Sequence, residues 1–140
     1  MRWRARIGRG YVAAYFSGFA DGEALGVCQR PFVPANCSHN GHIFYLIMNN
    51  VDARNDLLSH LHHHGISATF HYIPLHESIA GKKFGRTLSP LPHTNRAGHC
   101  LIRLPLFPDL TDEQQDRVIN LTNDFLFNAK IQKNVSTLAQ

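Results

Sequence analysis

Apolar residues near the start of the chain recur with a helical period. Trp3, Ile7, Tyr11, Ala14 and Tyr15 share one face of residues 2–16, while Arg2, Arg6 and Arg9 fall on another, which predicts an amphipathic helix. The chain opens almost inside this helix with no capping residue ahead of it, so Met1 reads either as a native start or as a truncation within a longer helix. Residues 18–42 gather turn formers, among them Gly18, Gly22, Gly26, Pro31, Pro34 and Gly41. They predict irregular chain with one short strand near Leu25 to Cys28.

Ile43 to Met48 is short and apolar on both faces, as in a strand at the middle of a sheet. Asp52 as N-cap, the stripe Leu57, Leu58 and Leu61, and Gly65 at the C′ position predict a second helix ending in His62, His63 and His64. From Ile66 to Ile73 the pattern changes to a period of two, a strand that Pro74 ends. Residues 74–93, with Pro74, Gly81, Gly85, Pro90 and Pro92, predict a long connection of the kind that carries function. Thr94 caps a single helical turn, Leu101 to Leu104 forms a third strand stopped by Pro105, and Thr111 with Gln114 has capping-box spacing. Val118, Leu121, Thr122 and Phe125 mark the apolar face of a last helix. The predicted fold class is α/β, a small sheet of about three strands packed against helices. Residues 1–127 form one domain and residues 128–140 a polar, disordered tail.

A length of 140 residues at 44% hydrophobic content suits one domain with its own core. Cys28, Cys37 and Cys100 have neither C-x-x-C nor zinc-finger spacing, so three free thiols in a reducing cytoplasm are expected. No uninterrupted apolar run is long enough to span a bilayer. The arginines of the first ten residues and the apolar stretch Tyr11 to Ala20 are too short and broken, by Gly10, Ser17 and Gly18, for a secretion signal. A net charge of +4 is mild, and the Arg-rich start lacks the aromatic interleaving of a nucleic-acid binder, so neither membrane nor nucleic acid is an expected partner.

Ten histidines raise the question of a metal, and His60 with His64 has the i, i+4 spacing of two ligands on one helical face. No Cys, Asp or Glu completes a tetrahedron, and histidines in a last turn favour the helix dipole and bond its free carbonyls, so no metal is expected. Lys82, Lys83 and Arg86 can embrace a diphosphate or simply form a solvated surface. Two histidines and a tyrosine, His71, Tyr72 and His76, cluster where a strand enters the long connection, an edge where sites are built. The plain alternative is a backbone-satisfied His and a core Tyr. Arg103, flanked by Leu101, Ile102, Leu104 and Pro105, must reach solvent or find a carboxylate or phosphate.

Three segments together carry a family resemblance. Asn40-Gly41-His42-Ile43-Phe44-Tyr45, Thr69 to His76 with Ala80-Gly81 and Phe84-Gly85 behind it, and Ile102-Arg103-Leu104-Pro105-Leu106-Phe107 ahead of Leu110-Thr111 resemble the DegT-type sugar aminotransferases in order and spacing, over about Arg4 to Phe127. The resemblance implies the C-terminal small domain of a fold-type I transferase dependent on pyridoxal phosphate. The lysine that forms the Schiff base would then belong to a large N-terminal domain, the missing partner. Lys82, Lys83, Lys130 and Lys133 lie in segments matching the small domain, so no catalytic residue and no bound cofactor are expected here. The resemblance also implies a homodimer whose sugar-nucleotide pocket is approached by His71, Tyr72, His76 and Arg103. The implied reaction moves an amino group from glutamate to a TDP-4-keto-6-deoxy sugar for lipopolysaccharide or another surface polysaccharide. A stand-alone sugar-nucleotide-binding or dimerisation module is the other reading, and a histidine-rich metal domain a third. A small domain separated from its partner should expose an apolar docking face, with Trp3, Ile7 and Tyr11 as candidates.

Overall fold

Four short antiparallel strands run through the centre of the computed structural model, which describes the backbone of residues 2–138 and the side chains of residues 10–131. The order along the chain is α1 (Arg2–Gly18), α2 (Ala20–Ala24), β1 (Cys28–Gln29), β2 (Phe44–Met48), α3 (Val51–His63), β3 (Thr69–Phe70), a 3-10 turn at Leu75–Glu77, α4 (Ile79–Phe84), α5 (Pro92–Cys100), β4 (Leu101–Leu104) and α6 (Asp112–Leu138). The sheet order is β1-β2-β4-β3. The α/β class predicted from the pattern holds, with the short strand foreseen near Cys28 joining the sheet as its fourth member.

Register explains the core. Phe44 pairs with Leu104 and Leu46 with Ile102, so these four buried residues of the two central strands line one face. Onto that face α1 and α2 lay Tyr15 and Phe19, whose rings meet the Phe44 ring at centroid distances of 5.0 Å and 6.1 Å. Leu57 and Leu61 from α3, and Val118 and Leu126 from α6, complete the same cluster. Side chains of this size contribute about 1.5–3 kcal/mol each on full burial. The other face carries the half-buried Tyr45, Ile47 and Arg103, the buried Leu101 and the exposed Thr69.

Several local expectations change. Gly18 and Gly22 mark no turn, because the chain stays helical through Ala24 apart from the break at Phe19. A Cβ at Gly18 would stand 2.8 Å from Ile119 Cγ2, and one at Gly22 3.1 Å from both Cys28 Sγ and Leu126 Cδ1, so close packing is what these glycines allow. Ala14 is exposed and leaves the predicted stripe, which continues instead through Val12, Tyr15 and Phe19. Asn50, not Asp52, caps α3 by accepting from the Ala53 N–H at 2.8 Å, while Gly65 holds the expected positive φ of 71°. The strand predicted over 66–73 pairs only at Thr69–Phe70, because it lies at the sheet edge with β4 alone beside it. Pro92 opens a nine-residue helix where a single turn was expected.

The capping box forms as predicted: Thr111 N–H donates to Gln114 Oε1 at 3.0 Å, and Gln114 N–H to Thr111 Oγ1 at 3.2 Å. From there α6 runs to Leu138, so helical backbone passes through most of the predicted tail 128–140. No Gly or Pro interrupts residues 112–138. Trp3 and Ile7 lie outside the described side chains. Tyr11 is half-buried, its hydroxyl donating to the Leu110 carbonyl, while Gln115 Nε2 donates to the Tyr11 carbonyl at 2.7 Å. Its hydroxyl is therefore taken up by the turn ahead of α6 and its backbone by α6 itself, so Tyr11 is not a free docking group. No described helix is long and apolar enough to cross a membrane.

Candidate functional site

The segment from His71 to Glu77 leaves the edge strand and is fastened along α5. His76 Nε2 donates to Asn95 Oδ1 at 2.6 Å, and Glu77 Oε2 accepts from His99 Nε2 at 2.9 Å. Pro74 sits against Gly98 so closely that a Cβ there would meet Pro74 Cγ at 2.5 Å. Ser78 then caps α4, its hydroxyl accepting from the Gly81 N–H at 2.9 Å. The long connection is thus largely ordered by short-range caps and by α5, which no hydrophobic period reveals.

The four residues singled out from the sequence occupy four different environments. His71 is half-buried, with its ring edge toward Tyr72 at 5.5 Å and its Nδ1 buried without a hydrogen-bond partner. It lines a cleft of about 290 Å³ together with Arg54, Glu77 and His99. Tyr72 is 79% exposed, and its ring is no core member. His76 borders a separate cleft of about 350 Å³ that includes Lys82 and Arg86. Arg103 lies in mid-sheet between Tyr45 and Thr69, its Nε buried and unpartnered among the described residues. His71 and His76 therefore flank one fastened segment but open onto different clefts, and Arg103 lines neither.

Arg54 escaped the sequence reading. It is only 9% exposed, its Nε is buried without a partner, and its guanidinium stands 5.4 Å from the Phe70 ring centre. A signal was present: positions 54, 57, 58 and 61 have helical core spacing, and a charged residue on that stripe demands an explanation. Glu77, Asn95 and His99 had no such signal, since only the tertiary fold brings α5 to the segment.

The four histidines at the end of α3 and just beyond it bond backbone carbonyls. His60 donates to the Leu121 carbonyl at 3.1 Å, His62 to Ala68 at 2.7 Å, His63 to Ser59 at 2.8 Å and His64 to His60 at 2.8 Å. Among the described residues no three His, Cys, Asp or Glu side chains converge as metal ligands would.

The model of the DegT/DnrJ/EryC1/StrS aminotransferase family matches residues 6–122. The chain belongs to this family. A curated relative, the pleiotropic regulatory protein of Geobacillus stearothermophilus, is 29% identical over 104 residues, covering 74% of this chain and 27% of its own length. DesV of S. venezuelae, solved with a ketimine intermediate, superposes with a TM-score of 0.77 at 26% identity, over 87% of this chain and 32% of DesV. Spr1654 from Streptococcus pneumoniae, described as a sugar aminotransferase and solved in its PMP form, gives a TM-score of 0.77 at 23% identity, over 89% of this chain and 31% of that one. At that identity the likeness is one of fold. The chain thus spans about a third or less of the length of each relative.

A pyridoxal phosphate site needs a lysine, an acid for the ring nitrogen and a phosphate cup in one cleft. Lys82 lines a cleft without a carboxylate, Lys83 Nζ lies over the Phe84 ring at 5.1 Å, and Lys130 Nζ donates to the Leu25 carbonyl at 3.0 Å. The described residues of this chain do not fit that cofactor by themselves.

Proposed function

We propose that the chain is the C-terminal small domain of a pyridoxal-phosphate-dependent sugar aminotransferase, inactive alone, with the cofactor lysine on a large domain that it does not span. One observation carries this reading. Tyr72, Ile73, Leu75, Ile79, Phe84 and Leu88 are all exposed, Leu75 by 84% and Ile79 by 90%, along a stretch that α5 and its own caps hold in place. An apolar row of that length on a lone domain marks a surface built to be covered. The large domain and the second subunit of a homodimer are its natural cover, and this row takes the docking role first expected of Tyr11.

In the assembled enzyme, His71, Tyr72, His76 and Arg103 would face the sugar nucleotide. The donors left free on His71 and Arg103, and the exposed Tyr72, support that role. The substrate would be a TDP-4-keto-6-deoxy sugar, the amino donor glutamate, and the product a precursor of lipopolysaccharide or another surface polysaccharide made in the cytoplasm. The test mixes this chain with a separately expressed large domain of a family member. Co-elution on size exclusion is expected, and the pair of substitutions Leu75→Asp and Phe84→Asp should abolish it. Alone, the chain with pyridoxal phosphate, glutamate and the keto sugar should form no saturable Schiff-base absorbance and release no 2-oxoglutarate. A chain that stays strictly monomeric and ignores the large domain, or that transaminates by itself, refutes the proposal.

A stand-alone sugar-nucleotide module remains the second reading, favoured by the cleft that His76, Lys82 and Arg86 share. Saturable binding of a TDP-sugar by the isolated chain, lost on Lys82→Ala and Arg86→Ala, would support it.

A further inference from the structure

An imidazole has two ring nitrogens, and what it offers a ligand depends on which of them its surroundings have already taken. For His76 the surroundings take Nε2. Asn95 reaches it from α5 with Oδ1 at 2.6 Å, and Glu77 Oε1 stands 4.0 Å from the same nitrogen. Both oxygens are acceptors, so the proton belongs on Nε2. Were the Asn95 amide turned over, its NH2 would donate to a lone pair on Nε2, and the Glu77 carboxylate would face that lone pair, negative charge against negative density. Glu77 is in turn held by His99 Nε2 at 2.9 Å, so Asn95 and His99, one helical turn apart on α5, grip consecutive residues of the segment. Nδ1 of His76 is left over. It makes no hydrogen bond among the described residues and is not one of the buried polar atoms without a partner, and 22% of the side chain stays exposed.

From this geometry we infer that Asn95 is a positioning residue of the sugar-nucleotide site: it pins His76 as the Nε2–H tautomer, so that the ring presents Nδ1 as a hydrogen-bond acceptor. The inference rests on the proposed role of His76 and names the chemistry of that one contact. A lone pair accepts from a hydroxyl and repels a phosphate oxygen, so the ligand group matched by His76 is a sugar hydroxyl. Charge for a phosphate comes from elsewhere on the same cleft, where Lys82 and Arg86 are lining residues beside His76. Asn95 itself lies outside the three segments that carry the family resemblance and acts only through His76.

The test is ¹⁵N NMR of the imidazole nitrogens in the 140-residue chain, at about pH 8, where an imidazole is neutral. His76 should show a protonated Nε2 and a bare Nδ1, with the Nε2 proton exchanging slowly with solvent. Asn95→Leu removes the acceptor at similar size. It should speed that exchange about fivefold to tenfold, the loss of one hydrogen bond, and let the proton spread over both nitrogens. Asn95→Asp returns an oxygen to the same place and should restore the Nε2–H form. A purely structural Asn95 would change the melting temperature without moving the proton, and Asn95→Ala gives the same readout if the leucine variant does not fold. Nδ1–H in the native chain, an even mixture of the two tautomers, or an unmoved His76 proton in a folded leucine or alanine variant would each overturn the inference. Neither cofactor, large domain nor sugar nucleotide enters this measurement, so its failure leaves the proposed function standing, and a failed co-elution leaves the Asn95–His76 geometry to be read by itself.

Discussion

Gly98→Ala opposes two effects that the structure ranks. Within α5 an alanine should favour the helix over glycine by about 1 kcal/mol. Yet the new Cβ would stand 2.5 Å from Pro74 Cγ and 2.6 Å from Cδ, atoms of a rigid ring that cannot rotate away. Over-packing of this kind costs about 1–3 kcal/mol. If the segment swings off α5 to relieve it, the His76–Asn95 and His99–Glu77 contacts are strained too, at roughly 1 kcal/mol each. Clash and lost contacts together exceed the helix gain, so a net loss of about 1–3 kcal/mol is expected, or about 3–10 °C in melting temperature for a chain of this size. The assay is a urea or thermal melt, with the ring resonances of His76 and His99 followed by NMR. Both rings should change environment, and partner binding through Tyr72 and Leu75 should weaken with them. A more stable variant with unmoved His76 and His99 signals would show that Gly98 is merely tolerated and that the segment is not seated on α5.

Four further outcomes follow from other parts of the fold. Tyr15→Phe keeps the stacked ring but removes the hydroxyl that donates to the Pro105 carbonyl at 2.8 Å, and should cost about 0.5–1.5 kcal/mol by denaturant titration. Thr111→Ala breaks the capping box and should cost about 1 kcal/mol, seen as a lower melting temperature, which Thr111→Ser should largely restore. Burial, with a smaller push from the Glu23 carboxylate, raises the Cys28 thiol from an ordinary 9.0 to about 11. The folded state therefore holds this proton more tightly than the unfolded one. The associated stability is complete below pH 9 and fades as pH rises through 11. At pH 8 a thiol reagent should modify the exposed Cys37 rapidly and reach the buried Cys28 and Cys100 only on unfolding.

The elements with strong periodicity were legible from residues alone. β2, the Leu57–Leu61 stripe closed by Gly65, β4 and the capped start of α6 all appear where pattern and punctuation place them, since their local signals agree with the contacts that they make. The three segments running from Asn40 to Phe107 were enough to indicate the family that the match over residues 6–122 establishes. Histidine chemistry was partly legible: a run at a helix end points to backbone carbonyls, and His63 and His64 bond carbonyls one turn back.

What the tertiary structure decided is where close approach and burial override local preference. Gly18 and Gly22 read as turn formers along the chain and Gly98 drew no reading at all, yet Ile119, Leu126 and Pro74 from distant segments explain all three. The four-stranded order β1-β2-β4-β3 and the two-residue length of β3 depend on which strand finds a neighbour, a non-local property no window of sequence contains. His71 and His76, five residues apart, open onto different clefts because the segment between them is pinned to α5 at Gly98. Arg54 was only half legible: its place on the Leu57, Leu58 and Leu61 stripe was a signal, but its residue type suggests a wet surface, and only the packing of α3 in the fold buries it to 9% exposure with Phe70 of the edge strand beside it.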